Sequence, residues 1–452
     1  MRASRTPEDY PAALHGGPSY FDFSLDAGTA QTAEFIRTLW PDAKEFLKDL
    51  VGENSHTLNP EGICKNARRI IQQFASMEFS QSCVSSKTEG YGKHLILDSG
   101  GEGPPIFLIS HLDTVYPPEE QTAGYAGWDD SHNRIVGPGT YDIKGGTVAM
   151  WLLIQCLSRL HPHLFPRFRW ILAWNAAEER LCADFSAAVM DLVDYEPLAC
   201  LVFEGDNRRQ EGLEIVVARS GLARYRLSVQ GRSTHSGNGH AQGVNAIVRV
   251  ADLVLEVSAL TDYSRNTTVN VGVIRGGVAT NRVPDFAEAL FEVRYRDRTH
   301  YEEVKAKLLA LCDSGNLNEG VAGSRCEVSM ELLEEIPSWP EEQRNIELAE
   351  IWSRAGKSCG HPVAVGCRSG LSDANFFASR FRTLDGLGPR GGNAHSAVKD
   401  GPSVRITEFV DQDSFLSKTL VNTLAILELL GSVGLSSSDS NNRLQVYSEG
   451  NR

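Results

Sequence analysis

No apolar stretch among the 452 residues approaches the roughly 18 needed to span a membrane. The N-terminal Met1-Arg2-Ala3-Ser4-Arg5-Thr6 has no apolar signal core either, so the expected address is cytoplasmic, with no membrane partner. Cysteine is sparse: nine residues, an odd number, with no C-x-x-C spacing, which points to free thiols in a reducing compartment. Positive charge is in deficit, with a formal net charge of −14. That balance argues against a nucleic-acid or anionic-lipid surface. There is no internal repeat and no long low-complexity tract. What remains is a chain long enough for two domains and a large core.

The most informative stretch is Ser110-His111-Leu112-Asp113-Thr114, directly behind the apolar run Ile106-Phe107-Leu108-Ile109. The run reads as a buried strand. His111 and Asp113 leave its carboxyl end, where open α/β sheets collect ligands. Gly137-Pro138-Gly139-Thr140-Tyr141-Asp142 then opens a helix over Thr147–Leu157. A dinucleotide-binding fingerprint fails there, because Asp142 stands where the third glycine belongs. A second strand-like run, Phe168–Trp174, ends at Glu178-Glu179, and a further one, Ala199–Phe203, delivers Glu204. Far downstream, His395 sits in a Gly-rich loop, Gly386–Ser396. Two imidazoles and three carboxylates, one of them bridging, suit two divalent ions about 3.5–4 Å apart.

Together these segments resemble the M20 family of dinuclear metallopeptidases and amidohydrolases. That family includes glutamate carboxypeptidases, aminoacylases, acetylornithine deacetylase and succinyl-diaminopimelate desuccinylase; the nearest likeness is to its carboxypeptidase G2 type. The resemblance runs from Asn59-Pro60-Glu61-Gly62-Ile63 to the helix Thr419–Leu430. It implies that His111 and Glu204 hold one ion, Glu179 and His395 the other, and that Asp142 bridges them. The ions are expected to be zinc, with manganese or cobalt as alternatives. Asp113 would orient His111, and Glu178 would be the general base. The two cations would lower the pKa of water and polarise the scissile carbonyl, while Glu178 carries the proton to the leaving amine. Gly231-Arg232-Ser233-Thr234-His235-Ser236 resembles the family's lid histidine motif, so His235 would steady an oxyanion, often in a partner subunit's site. Asn281, Arg294 and Gly370 are expected to touch substrate. Arg294 could grip a carboxylate through its planar fork or take part in a cross-strand ion pair.

The chain departs from the family pattern at three places. Ala177 stands where Asp usually precedes the Glu pair, Arg180-Leu181-Cys182 replaces a Gly-Ser type turn, and Gly205 replaces a Pro. The altered turn borders the base and so bears on substrate preference.

Alternation of strands and helices through Glu204 predicts a mostly parallel sheet covered on both faces. Helices are expected over Thr32–Val51, with Pro41 marking a break or second start, and over Ile63–Ala75. From Arg219 the order changes to strand-helix-strand-strand-helix-strand, the ferredoxin-like order. The expected division is therefore a catalytic domain at 1–218 and 336–435, an inserted lid at 219–335, and a tail at 436–452. The function this implies is metal-dependent cleavage of an amide next to a free carboxylate. The substrate would be an N-acyl amino acid or short peptide, handled by a homodimer joined through the lid. The alternatives are a deacylase or dipeptidase of other specificity and an inactive ligand-binding relative.

Overall fold

The computed structural model describes residues 25–120, 133–207, 211–313, 325–400 and 403–436. The N-terminal stretch through residue 24 and the expected tail beyond residue 436 lie outside them. Strand β3 (Pro105–His111) is the spine of a six-stranded sheet, and all seven of its residues are buried. Period-2 geometry sends Ile106 and Leu108 into one core and Phe107 and Ile109 into another. This is why the run carries no polar alternation. β5 (Arg169–Asn175) and β6 (Ala199–Val202) flank β3 in parallel, and β13 (Thr383–Leu384) extends the parallel part beyond β6. β2 (Lys93–Asp98) and β1 (Ser80–Ser85) complete the other edge antiparallel, in the order β1-β2-β5-β3-β6-β13. The carboxyl ends of β3, β5 and β6 therefore share one edge.

Helices cover both faces. On one side lie α1 (Ala27–Gly52), α2 (Pro60–Gln73), α3 (Gly145–Leu160), α7 (Gln343–Ser358) and α8 (Asp413–Ser436). On the other lie α4 (Asp184–Met190) and the helical turn Ala374–Phe377, whose Phe377 packs edge-on against both Phe107 of β3 and Phe185 of α4. Two expectations need correction. α1 runs unbroken through Pro41, its N-terminus capped by Asp26 and its inner face buried through Ile36, Phe46, Leu47 and Leu50. Packing of that face outweighs the one hydrogen bond the proline removes. α8 is also long and apolar enough, by composition, to cross a membrane; two thirds of that stretch is buried inside the fold. Its apolar circumference is explained by helices α1, α3 and α7 packing around it.

The second sheet is built from β8 (Gly221–Gln230), α5 (Ala246–Ser258), β9 (Thr268–Gly276), β10 (Phe286–Tyr295), α6 (Arg298–Asp313) and β11 (Glu327–Ile336). Its strands run antiparallel in the order β11-β8-β10-β9, the ferredoxin-like arrangement. α5 and α6 pack on this sheet around a separate core that includes Tyr225, Leu227, Val250 and Phe291. A two-strand neck, in which Arg219 and Trp339 exchange backbone hydrogen bonds of 2.8 and 2.9 Å, joins it to the larger domain. Only glycine fits at the neck's next turn: a Cβ on Gly221 would lie 2.6 Å from the Ser338 nitrogen.

Candidate active site

The shared strand edge gathers the predicted ligands. His111 is the last residue of β3, Glu178 and Glu179 form a single helical turn just after β5, and Glu204 follows β6. Asp142 lies in the turn before α3, which approaches β6 so closely that a Cβ on Gly146 would sit 2.0 Å from the Phe203 carbonyl oxygen. His395 comes from the Gly-rich loop at φ +58°. Asp142 is the hub. Its Oδ1 lies 3.0 Å from His111 Nε2 and its Oδ2 lies 3.1 Å from His395 Nε2. His395 Nε2 is also 3.1 Å from Glu179 Oε2, and His111 Nε2 is 4.0 Å from Glu204 Oε1 and 3.9 Å from Glu178 Oε2.

Supporting bonds fix this arrangement. Asp113 accepts the backbone N–H groups of Glu178 (3.0 Å) and Glu179 (3.3 Å) and the Thr57 hydroxyl (2.6 Å). Asp113 also stands beside His111, where the expected orienting contact would be made. His111 Nδ1 meets the Asp113 main-chain oxygen at 3.0 Å, with the carboxylate at 3.4 Å. The carboxylate therefore serves both the Glu178-Glu179 turn, whose first N–H groups it accepts, and His111. Glu408, fully buried, accepts from Tyr141 N and Asp142 N at 2.8 and 2.9 Å and from the Tyr116 hydroxyl at 2.8 Å. It thereby holds the Asp142 turn from behind.

The electrostatics are those of crowded, desolvated carboxylates. Burial, opposed by His111 and reinforced by Glu204, lifts Glu178 well above the usual carboxylate range. Burial and the Asp142 charge push Glu179 up to about 7, and burial with Asp142 raises Glu204 strongly. Asp142 goes the other way: its burial is outweighed by hydrogen bonds from His111 and His395, which hold it low. His395 is raised to about 11 by its bonds to Asp142 and Glu179. Protons here occupy places that a cation could take. The residues fit a pair of divalent ions: the donors are all nitrogen and carboxylate oxygen, and the buried Glu179 Oε1 has no hydrogen-bond partner.

A cleft of about 650 Å³ opens over these groups, lined also by Arg219, Arg224, Arg294 and Arg368. Arg294 is paired within its own strand, to Glu292 Oε1 at 2.8 Å, rather than across strands, and also donates to the Ser369 carbonyl oxygen at 3.2 Å. Gly370 lines the cleft and gives its carbonyl oxygen to Arg219. His235 and Asn281 are not among the residues lining this cleft. They neighbour each other on the lid, where Ser236 N donates to the Asn281 carbonyl oxygen at 3.0 Å. His235 is exposed, and its Nδ1 accepts from Gly237 N and Asn238 N, so Nε2 carries the proton and is free to donate.

Sequence reasoning did not find Glu408, Thr57 or His94. Nothing in a lone Glu, Thr or His marks such contacts. His94, with Cys182 and Asp184, forms a second group of metal-type donors. His94 Nδ1 accepts from Ala176 N at 3.1 Å, which leaves Nε2–H to donate toward Asp184 at 3.3 Å. That tautomer makes the group a hydrogen-bond knot rather than a cation site.

Comparison with known proteins agrees with the geometry. Residues 217–319 match the peptidase dimerisation domain of the M20 type. Carboxypeptidase G2 of a Pseudomonas is 26% identical over 56% of this chain and 60% of its own length, so the match spans under two thirds of that relative. Succinyl-diaminopimelate desuccinylase of Nitrosomonas europaea is 24% identical over 83% of this chain and 97% of its own. In fold, the chain resembles a dinuclear metal-binding M20 peptidase of Bacillus subtilis, with a TM-score of 0.62 and 15% identity over 87% of this chain and 99% of that one. The matched domain is thus the M20 dimerisation domain, and the relatives and fold neighbours this chain is similar to are M20 metallopeptidases and amidohydrolases.

Proposed function

We propose that this protein hydrolyses an amide bond next to a free carboxylate, in an N-acyl amino acid or short peptide, using two divalent metal ions. The observation that carries this reading is Asp142, whose two oxygens each face a different imidazole at 3.0 and 3.1 Å, with Glu178 alongside. His111 and Glu204 would hold one ion, Glu179 and His395 the other, with Asp142 shared. When bound, the ions would acidify water and polarise the carbonyl, zinc being the first candidate. Glu178, 3.9 Å from His111 Nε2, would be placed to take a proton from water and pass it to the leaving amine. The arginines of the cleft would face the substrate carboxylate, exchanging present partners such as Glu292 for it. His235 would donate Nε2–H to the oxyanion in a partner subunit's site, and a cytoplasmic setting would keep the cysteines reduced.

The altered turn Arg180-Leu181-Cys182 favours one second reading, a deacylase or dipeptidase of different side-chain preference. Hydrolysis of an N-acyl amino acid panel, with and without chelator, tests the proposal. Activity that survives complete metal removal rejects it. Glu178→Gln is expected to lower kcat by at least about 10²-fold while metal content stays unchanged; loss of metal instead would show that Glu178 is a ligand.

A further inference from the structure

We propose that Leu181 determines specificity: its side chain is an apolar wall of the cleft beside Glu178, selecting substrates with an aliphatic or aromatic group flanking the scissile amide. This deepens the hydrolase reading and rests on it. Leu181 ends the base turn at φ +56° and ψ +46°, in the left-handed region. There an L residue's Cβ crowds the following carbonyl oxygen, a conflict glycine escapes. Among the described residues, five other non-glycine positions have positive φ: three Asn, one Glu and one His. Leu181 is the aliphatic exception. Asn tolerates this region through its short polar side chain; leucine has no such excuse. Strain of this kind persists where surrounding structure over-determines it, and it clusters at functional sites.

The over-determining structure is visible. Leu181 N donates to Glu178 O at 2.6 Å and Cys182 N to Ala177 O at 3.2 Å. The Cys182 thiol then donates to Asp184 Oδ1 at 2.6 Å, while Asp184 Oδ2 accepts from Ser86 Oγ at 3.1 Å. His94 bridges from Asp184 back to Ala176 N, so both ends of the turn are tied to one knot. What the knot holds in place is a half-buried leucyl group lining the cleft with Leu371, among carboxylates and guanidinium groups. Water and charged groups give the open side of a half-buried leucine no favourable contact, whereas an apolar substrate group does.

The test uses two series of N-acyl amino acids on the metal-loaded enzyme. One lengthens the acyl group from acetyl to hexanoyl; the other changes the amino acid from Gly through Ala and Leu to Phe. In the wild type, kcat/KM is expected to rise at least about tenfold along one series, a usual discrimination for a hydrophobic contact. Leu181→Gly, which relieves the φ, and Leu181→Asn, which tolerates it at similar bulk, are both expected to compress that rise to within roughly threefold, through KM rather than kcat. An unchanged rise in either variant overturns the proposal. If the wild type hydrolyses no member, the hydrolase reading fails by itself. Calorimetric binding of the same two series then decides separately: equal discrimination by wild type and both variants overturns the apolar wall, and its loss in both sustains it.

Discussion

Glu408 shows how a single side chain can organise chemistry it does not perform. Its carboxylate is buried, raised to about 7 chiefly by burial and by the Asp142 charge, and placed behind the carboxylate that both imidazoles face. One oxygen gathers two consecutive peptide N–H groups, so the Asp142 turn has its geometry set before any ion arrives. Outer partners of metal ligands typically influence affinity about 10–100-fold. Glu408→Ala is therefore expected to weaken metal binding by that order in a chelator-competition titration. Glu408→Gln, which retains an acceptor oxygen for both N–H groups, should restore most of the affinity. Equal affinity in the alanine variant would mean that the turn holds itself.

At the scale of elements, the site depends on where strands stop and what ties their ends together. β2 contributes His94, which is buried between Asp184 at the start of α4 and Ala176 after β5. Burial holds this imidazole below its ordinary 6.5, although Asp184 pulls the other way. The sign follows from proton counting. Below about 6.5 the unfolded chain takes up a proton that the folded chain resists, so stability is fully present above that pH and is lost as pH falls toward the depressed folded value. Chemical denaturation between about pH 5 and pH 7 should show wild-type stability falling with acid more steeply than that of His94→Gln. Parallel curves for the two proteins would show that His94 protonates as readily folded as unfolded.

At the scale of the molecule, the lid carries a side left uncovered among the described residues. Ile247, Val248 and Leu255 on α5 and Ile274 on the edge strand β9 are exposed, and Val278 beyond it is 82% exposed. Exposed apolar residues beside an unpaired strand edge are the features of an association surface, and the dimerisation domain spans them. The proposed homodimer should sediment as such at micromolar concentration. It would also place His235, which stands away from its own chain's cleft, within reach of another. Mixing inactive Glu178→Gln with inactive His235→Ala chains, under conditions that exchange subunits, should then restore up to about a quarter of wild-type activity, since one site of each mixed pair is intact. No recovery in verified mixed dimers would assign His235 a role confined to the lid.

Much of this was legible along the chain. Apolar runs long enough to be buried strands end at His111, at the Glu178-Glu179 pair and at Glu204, and strand ends can be read from hydrophobicity and turn residues alone. The lid's order of strands and helices was legible for the same reason, because period-2 and period-3.6 patterns are local. Residue identity also announced the donors, since imidazole and carboxylate are what a divalent ion requires. Other features exist only once the chain has closed on itself. Glu408 meets Asp142 across 266 residues of sequence, Asp113 extends its carboxylate to a distant turn as well as to His111, and Leu181 is held in a left-handed conformation by bonds around it. The sequence by itself therefore determined which groups are available and at which strand ends they emerge. Their mutual distances, their protonation and the partner each one serves were decided by tertiary structure. Coulomb and desolvation energies depend on separation and burial in space, and neither quantity is a local property of the chain.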